Sequence, residues 1–190
     1  MLYSIIAIIV RIYLSLFKGL KVEGREYVPA NGPVIVVANH VSNLDPPALG
    51  VACPRPVCFM AKQELFVNPV VSWVFRTMGA FPVKRDSPDL RAFKQALTIL
   101  KNGLVLGMFP EGTRSKSENL GPAEQGAAVL ALRTQATLIP VGIKGTGGKG
   151  PVQVRFGPAI AFDDLDPKDR SNGRILADRI MVHIAQLLEN

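Results

Sequence analysis

Short apolar runs punctuate the chain at Val34–Ala38, Val57–Met60, Ala80–Val83, Leu104–Phe109, Thr137–Ile143 and Val152–Phe156. Each is rich in β-branched or large apolar residues and bounded by Gly, Pro or polar residues, the pattern of a strand buried on both faces. Helical patterns lie between several of them. Over Ser87–Lys101, Ser87 suits a cap, Pro88 the first turn, and Asp89 complements the helix dipole. Leu90, Phe93, Leu97 and Leu100 then form one apolar face, and Gly103 follows as a stop. Pro122–Thr134 reads as an alanine-rich helix. Arg170–Glu189 reads as another, with Leu176, Ile180, Ile184 and Leu187 on one face. Strands alternating with helices predict an α/β fold: a single domain over residues 19–190 with a mostly parallel central sheet flanked by helices.

The segment before that domain has its own pattern. Leu2 to Phe17 is nearly all apolar, yet Ser4, Arg11, Ser15 and Lys18 recur at helical spacing and line one narrow stripe. Such a helix spans roughly 25 Å, short of a hydrocarbon core of about 30 Å, and Arg11 at its middle is expensive in a single span. No basic residue precedes the apolar run and no clear cleavage site follows it, which argues against a signal peptide. The expectation is that residues 1–18 form a helix in the membrane interface, polar stripe toward water. Packing of the same helix on the protein's own core is the alternative.

Composition fits a partly covered surface. The chain has 190 residues, 48% hydrophobic and only 19% charged, with a formal net charge of +7. Positive charge favours phosphates, anionic headgroups or acidic carriers as partners. Cys53 and Cys58 make no disulfide framework and have no neighbouring ligand set for a metal. Gly145–Gly150 looks like a phosphate loop, but Lys149 is followed by Gly150 and Pro151 instead of a hydroxyl residue and a helix, so a surface loop is expected. His183 falls inside a helical pattern and reads as a structural histidine.

Three polar clusters follow strand ends, where α/β sheets bind ligands. The first is Asn39-His40-Val41-Ser42-Asn43-Leu44-Asp45. A His with a nearby Asp is the minimal general base with a fixed tautomer. Five residues apart on one helix they point away from each other, so they meet only if a strand-to-helix turn folds the carboxylate back. Asp45-Pro46 equally suits a plain helix cap. The second cluster, Gly79 to Asp86, brings two cations, Lys84 and Arg85, and Arg suits bidentate capture of phosphate. The third is Phe109-Pro110-Glu111-Gly112-Thr113-Arg114-Ser115. There Gly112 opens the backbone to a ligand, and Glu111 and Arg114 either pair with each other or serve an anion bearing hydroxyls.

In this order the clusters resemble the motifs of the glycerophospholipid acyltransferase family. Asn39, His40, Ser42 and Asp45 match its Asn-His-x-Ser-x-x-Asp motif. Gly79 and Arg85 match the second, Phe109 to Ser115 match the third in full, and Pro140 within Leu138–Ile143 matches the fourth. The resemblance covers about residues 20 to 160. It implies transfer of an acyl group from acyl-CoA or acyl-carrier protein to the sn-2 hydroxyl of lysophosphatidic acid, giving phosphatidic acid, at the cytoplasmic face of the cell membrane. His40 is the implied base and Asp45 its partner. Arg85 and Arg114, with Lys84, are the implied phosphate ligands, and Glu111, Gly112 and Thr113 line the acceptor. It implies no cofactor beyond the thioester co-substrate, no metal and no nucleic acid partner. Glycerol-3-phosphate or another lysophospholipid remains an alternative acceptor. Two further readings are a hydrolase with Ser42 as nucleophile, which lacks the Gly-x-Ser-x-Gly elbow, and a non-enzymatic lipid-binding protein, which leaves His40 and Asp45 without a task.

Overall fold

A computed structural model describes residues 2–84, 89–115, 120–148 and 150–189. Its strands are β1 (Lys21–Glu23), β2 (Val34–Ala38), β3 (Val57–Lys62), β4 (Ala80–Val83), β5 (Val105–Met108), β6 (Thr137–Lys144) and β7 (Gln153–Phe156). They form one sheet in the order β1-β7-β6-β2-β5-β3-β4. All neighbours are parallel except β6 and β7. The helices are α1 (Leu2–Lys18), α2 (Asp45–Ala52), α3 (Pro69–Thr77), α4 (Leu90–Lys101), α5 (Gly126–Thr134) and α6 (Asn172–Glu189).

Strand periodicity sorts the core into two layers. Ile35 and Val37 of β2 face one way and pack with Leu106, Leu138, and the buried sides of α4, α5 and α6. Val34, Val36 and Ala38 face the other and pack with Ile139, Phe59, Leu49 of α2 and Leu14 of α1. The sheet is therefore covered on both faces, and β2, lying between β6 and β5, is buried along its whole length. Such burial demands the near-continuous apolar runs seen in the sequence.

Several boundaries differ from expectation for identifiable reasons. The α5 helix begins at Gly126, not Pro122, because the chain before it makes tertiary hydrogen bonds: Gly121 N donates to Glu111 and Glu124 N to the Pro110 carbonyl at 2.7 Å. The α4 helix is capped by Asp89, whose side chain accepts from Arg91 N and Ala92 N; Ser87 and Pro88 lie outside the described residues. Its buried side carries Ala92, Ala96, Ile99 and Leu100, while Leu90 is 72% exposed. Neither β1 nor α3 was expected.

The α1 helix packs on the core along one of three sectors. Ala7, Val10 and Leu14 face the second core layer, and Leu14 is fully buried. Ser4, Arg11 and Ser15 form the exposed polar stripe. Opposite the core, Ile5, Ile9, Ile12 and Leu16 are 46–75% exposed. Among the described residues no helix is long and apolar enough to cross a membrane.

Gly107 marks the tightest packing beneath the site. A Cβ there would sit 2.7 Å from Phe59 Cδ1 and 2.8 Å from Val57 Cγ1. Gly107→Ala should therefore destabilise the protein by about 1–3 kcal/mol, read by urea unfolding. Unchanged stability would mean that the Phe59 ring moves freely.

Candidate active site

The site is built at the carboxyl edge of the sheet, where β2 and β5 lie side by side. After Ala38 the chain leaves β2 through a turn and enters α2 at Asp45. That turn folds the carboxylate back onto the ring: His40 Nδ1 lies 2.8 Å from Asp45 Oδ2. The same oxygen accepts from Val41 N and Ser42 N, each at 2.7 Å. Asp45 is fully buried and His40 7% exposed. The simple cap is excluded, because Asp45 accepts from the turn before it and α2 has no side-chain cap hydrogen bond. An ionised Asp45 can only accept, so Nδ1 carries the proton and Nε2 is the basic nitrogen.

The loop after β5 grips the backbone of His40 from both sides. Glu111 Oε1 accepts from His40 N at 2.9 Å, and Ser115 N donates to the His40 carbonyl at 2.8 Å. Glu111 Oε2 accepts from the Ser115 hydroxyl and, at 3.1 Å, from Gly121 N. Both oxygens are engaged by the chain and Glu111 is 9% exposed, so in this structure it clamps the His40 backbone. Phe109 stacks on the imidazole with centroids 4.2 Å apart and planes at 25°. Gly112 has φ of 69°, the left-handed region that favours glycine. Its N–H donates to the Phe109 carbonyl at 3.0 Å, closing the turn.

Neighbouring elements hold the turn further. Asn39, 4% exposed, exchanges two hydrogen bonds with the Ile143 backbone at 2.9 and 2.8 Å, extending the β2–β6 ladder through a side chain. The Ser42 hydroxyl donates to the Thr146 carbonyl at 3.1 Å and accepts from Leu44 N at 3.2 Å. So the glycine-rich loop after β6 abuts the His40–Asp45 turn, where sequence suggested only surface. Asn39 and Ser115 lie within the motifs already quoted; nothing in the sequence distinguishes Thr146.

The cations are arranged unequally. Arg114 and Thr113 are exposed on the rim. Arg114 Nη1 donates to Asn43 Oδ1 at 3.0 Å, so its partner is the His40–Asp45 turn and not Glu111. Lys84 lies at the same carboxyl edge, but β5 and β3 separate β4 from β2. Three strand spacings amount to about 14 Å. Arg85 lies outside the described residues. Gly79 stands at the opposite end of β4, at φ of 78°, and serves the turn. Among the described residues no three His, Cys, Asp or Glu side chains cluster as a metal site.

Comparison with known proteins gives this arrangement its class. The profile of the family described as Acyltransferase matches residues 19–144. The 1-acyl-sn-glycerol-3-phosphate acyltransferase of Bacillus subtilis is 34% identical over 179 residues, covering 89% of each chain. The enzyme of the same name from Streptococcus pneumoniae is 32% identical, over 82% of this chain and 60% of that one. The lyso-ornithine lipid O-acyltransferase of Pseudomonas aeruginosa is 35% identical, over 83% of this chain and 58% of that one. The crystal structure of the 1-acyl-sn-glycerophosphate acyltransferase PlsC from Thermotoga maritima superposes with a TM-score of 0.77 at 28% identity, covering 97% of this chain and 79% of that one. The chain belongs to the Acyltransferase family.

If Glu111 is a clamp, Glu111→Gln replaces an acceptor by a donor facing another donor, a loss of about 1–3 kcal/mol in stability. Turnover should fall while the acceptor KM changes little. A rise in acceptor KM at constant turnover would place the carboxylate on the substrate instead.

Proposed function

We propose that this acyltransferase moves an acyl group from acyl-CoA or acyl-carrier protein to the sn-2 hydroxyl of 1-acylglycerol-3-phosphate, giving phosphatidic acid and free thiol. The observation that carries this reading is the buried His40–Asp45 pair, 2.8 Å apart at the end of the central strand. Nε2 of His40 takes the proton of the acceptor hydroxyl as its oxygen attacks the thioester carbonyl. Asp45 stabilises the imidazolium that forms. The tetrahedral intermediate then collapses, the C–S bond breaks, and the proton passes from Nε2 to the departing sulfur. The chemistry calls for no metal and no cofactor beyond the thioester.

A direct transfer fits the state of the nucleophiles. The Ser42 hydroxyl is committed to the Thr146 carbonyl, which disfavours the hydrolase reading. Burial pushes the thiols of Cys53 and Cys58 up, away from the reactive thiolate. The acceptor assignment rests on the names of the Bacillus and Streptococcus relatives and on Arg114 at the rim, with Lys84 at the same edge of the sheet. A relative of comparable identity is named for another lyso-lipid, so identity alone does not fix the acceptor. Membrane attachment rests on the outward apolar sector of α1, which offers several isoleucines and Leu16 to a bilayer while the opposite sector holds the helix on the domain. The acceptor then reaches the site from the same surface.

His40→Ala should lower thiol release by 10²–10⁴-fold with circular dichroism unchanged; near-normal turnover of a folded variant would overturn the mechanism. Arg114→Ala should raise the acceptor KM about tenfold or more, the worth of a charged contact to phosphate, and leave the donor KM near its original value. An equal rise for both substrates would assign Arg114 to structure or to the donor.

Membrane binding needs outward substitutions, because deleting α1 would also remove the buried Leu14 from the core. Ile9→Ser with Leu16→Ser should reduce sedimentation with vesicles by more than tenfold, given about 1.5–3 kcal/mol for each large apolar side chain removed from water. Thermal stability should be nearly unaffected. Undiminished sedimentation would place the contact elsewhere.

A further inference from the structure

The crossover from β3 to β4 carries a row of large apolar side chains in the open. After Lys62 the chain makes one 3-10 turn, Gln63–Phe66, and then enters α3. In this stretch Leu65, Val67, Val70, Val71 and Trp73 are 37–81% exposed. None of the nine residues of α3 is buried. The row is nonetheless firmly built. Asn68 caps α3 by accepting from Val70 N and Val71 N. The half-buried rings of Phe66 and Phe75 meet at 6.0 Å between centroids and tie the turn to the helix.

Topology puts this row on the same side of the sheet as α1, at the edge that carries His40. β3 runs parallel to β5, and β5 to β2, so Lys62 ends β3 at the carboxyl edge. The crossovers through α2 and α3 step the same way along the strand order. Right-handed connections therefore set α2 and α3 on one face, the face where α2 packs with α1. The last turn of α1 reaches the same edge. The Lys18 ammonium donates to the carbonyl of Gly148 in the loop after β6 at 3.4 Å, and Val152 N donates to the Lys18 carbonyl at 2.8 Å. There Leu16 and Phe17 are 75% and 74% exposed. The loops after β6 lie on one side of β2 and β5, and the β3–β4 crossover lies on the other. The two apolar patches thus flank the site.

We propose that the Gln63–Phe66 turn and α3 form a second membrane contact, which together with α1 lays the His40 edge of the domain on the bilayer. Composition supports a lipid occupant. From Leu65 to Met78 the only charged residue is Arg76, and its guanidinium lies 5.3 Å from the centre of the Phe66 ring. Valines and a tryptophan flanked by one long cation, with no acid among them, suit the boundary between acyl chains and anionic headgroups. Placement supports it as well, because one flat surface covers two patches that share a side and bracket the site. A domain held by α1 alone can still roll about that helix; a contact across the site stops the roll. The mouth of the site then faces the headgroups, where a lysophospholipid presents its hydroxyl. The contact rests on the membrane reading of α1 above and adds an orientation to it.

Trp73 is the single tryptophan of the chain, so its fluorescence reports this contact directly. Its emission should shift to the blue on vesicles of phosphatidylcholine mixed with phosphatidylglycerol, and phosphatidylcholine brominated along its acyl chains should quench it. Val67→Ser with Val70→Ser should lower vesicle sedimentation about tenfold at an unchanged melting temperature. Ile175→Ser with Val182→Ser removes similar apolar surface from α6, on the other face of the sheet, and should sediment as wild type does. Vesicle binding with Trp73 emission unmoved and unquenched would overturn this contact and leave the reading of α1 intact, whereas no binding at all would overturn both. Equal losses in the two double variants would reduce the effect to general apolarity and overturn the contact. A blue shift that grows with protein concentration in the absence of vesicles would assign the row to a second copy of the chain instead. A shift with acyl-carrier protein and none with vesicles would assign it to a protein partner instead.

Discussion

One carboxylate oxygen organises the centre of this protein. Asp45 Oδ2 accepts from His40 Nδ1, Val41 N and Ser42 N while the residue is wholly shielded from water. A buried charge is tolerable only when such donors replace its hydration. Asp45 also opens α2, where the helix dipole favours negative charge. These favourable terms depend on one turn geometry, and that geometry aims the imidazole. Losing the oxygen would therefore release the ring and two backbone amides together.

Sheet order makes the arrangement possible. Because β2 has β6 on one side and β5 on the other, the loops after all three strands meet at one edge. The β5 loop fixes the His40 backbone through Glu111 and Ser115, and β6 fixes Asn39. The loop after β6 fixes Ser42. Phe109 adds an apolar face to the ring and relays it to Phe59, 6.3 Å away, which packs against Gly107. The His40 turn is thus held by β6 and by the loops that follow β5 and β6, from both sides of β2.

What could be read from the sequence was local. The run of β2 appeared with its observed limits, because a strand buried on both faces has no polar alternation to blur it. The His40–Asp45 spacing already required a strand-to-helix turn. Non-local terms were not legible. The clamp formed by Glu111 was not legible because two of its three donors, His40 N and Gly121 N, lie 71 and 10 residues away in the chain. The start of α5 moved because hydrogen bonds to Pro110 and Glu111 outcompete another helical turn. The N-terminal helix presented one polar stripe in projection, which cannot tell an apolar sector facing the core from one facing outward. The α3 helix was missed because Val70, Val71 and Trp73 are all exposed in part, so its apolar positions do not trace a buried face.

The central claim is that Asp45 holds His40 with its proton on Nδ1 and Nε2 free to act as base. The chain has two histidines, so long-range proton–nitrogen correlation spectra of protein labelled with ¹⁵N at histidine will report His40 with only His183 to distinguish. Neutral His40 should show the Nδ1–H pattern in wild type and lose that preference in Asp45→Asn. A neutral His40 protonated at Nε2 in the wild-type protein would contradict it.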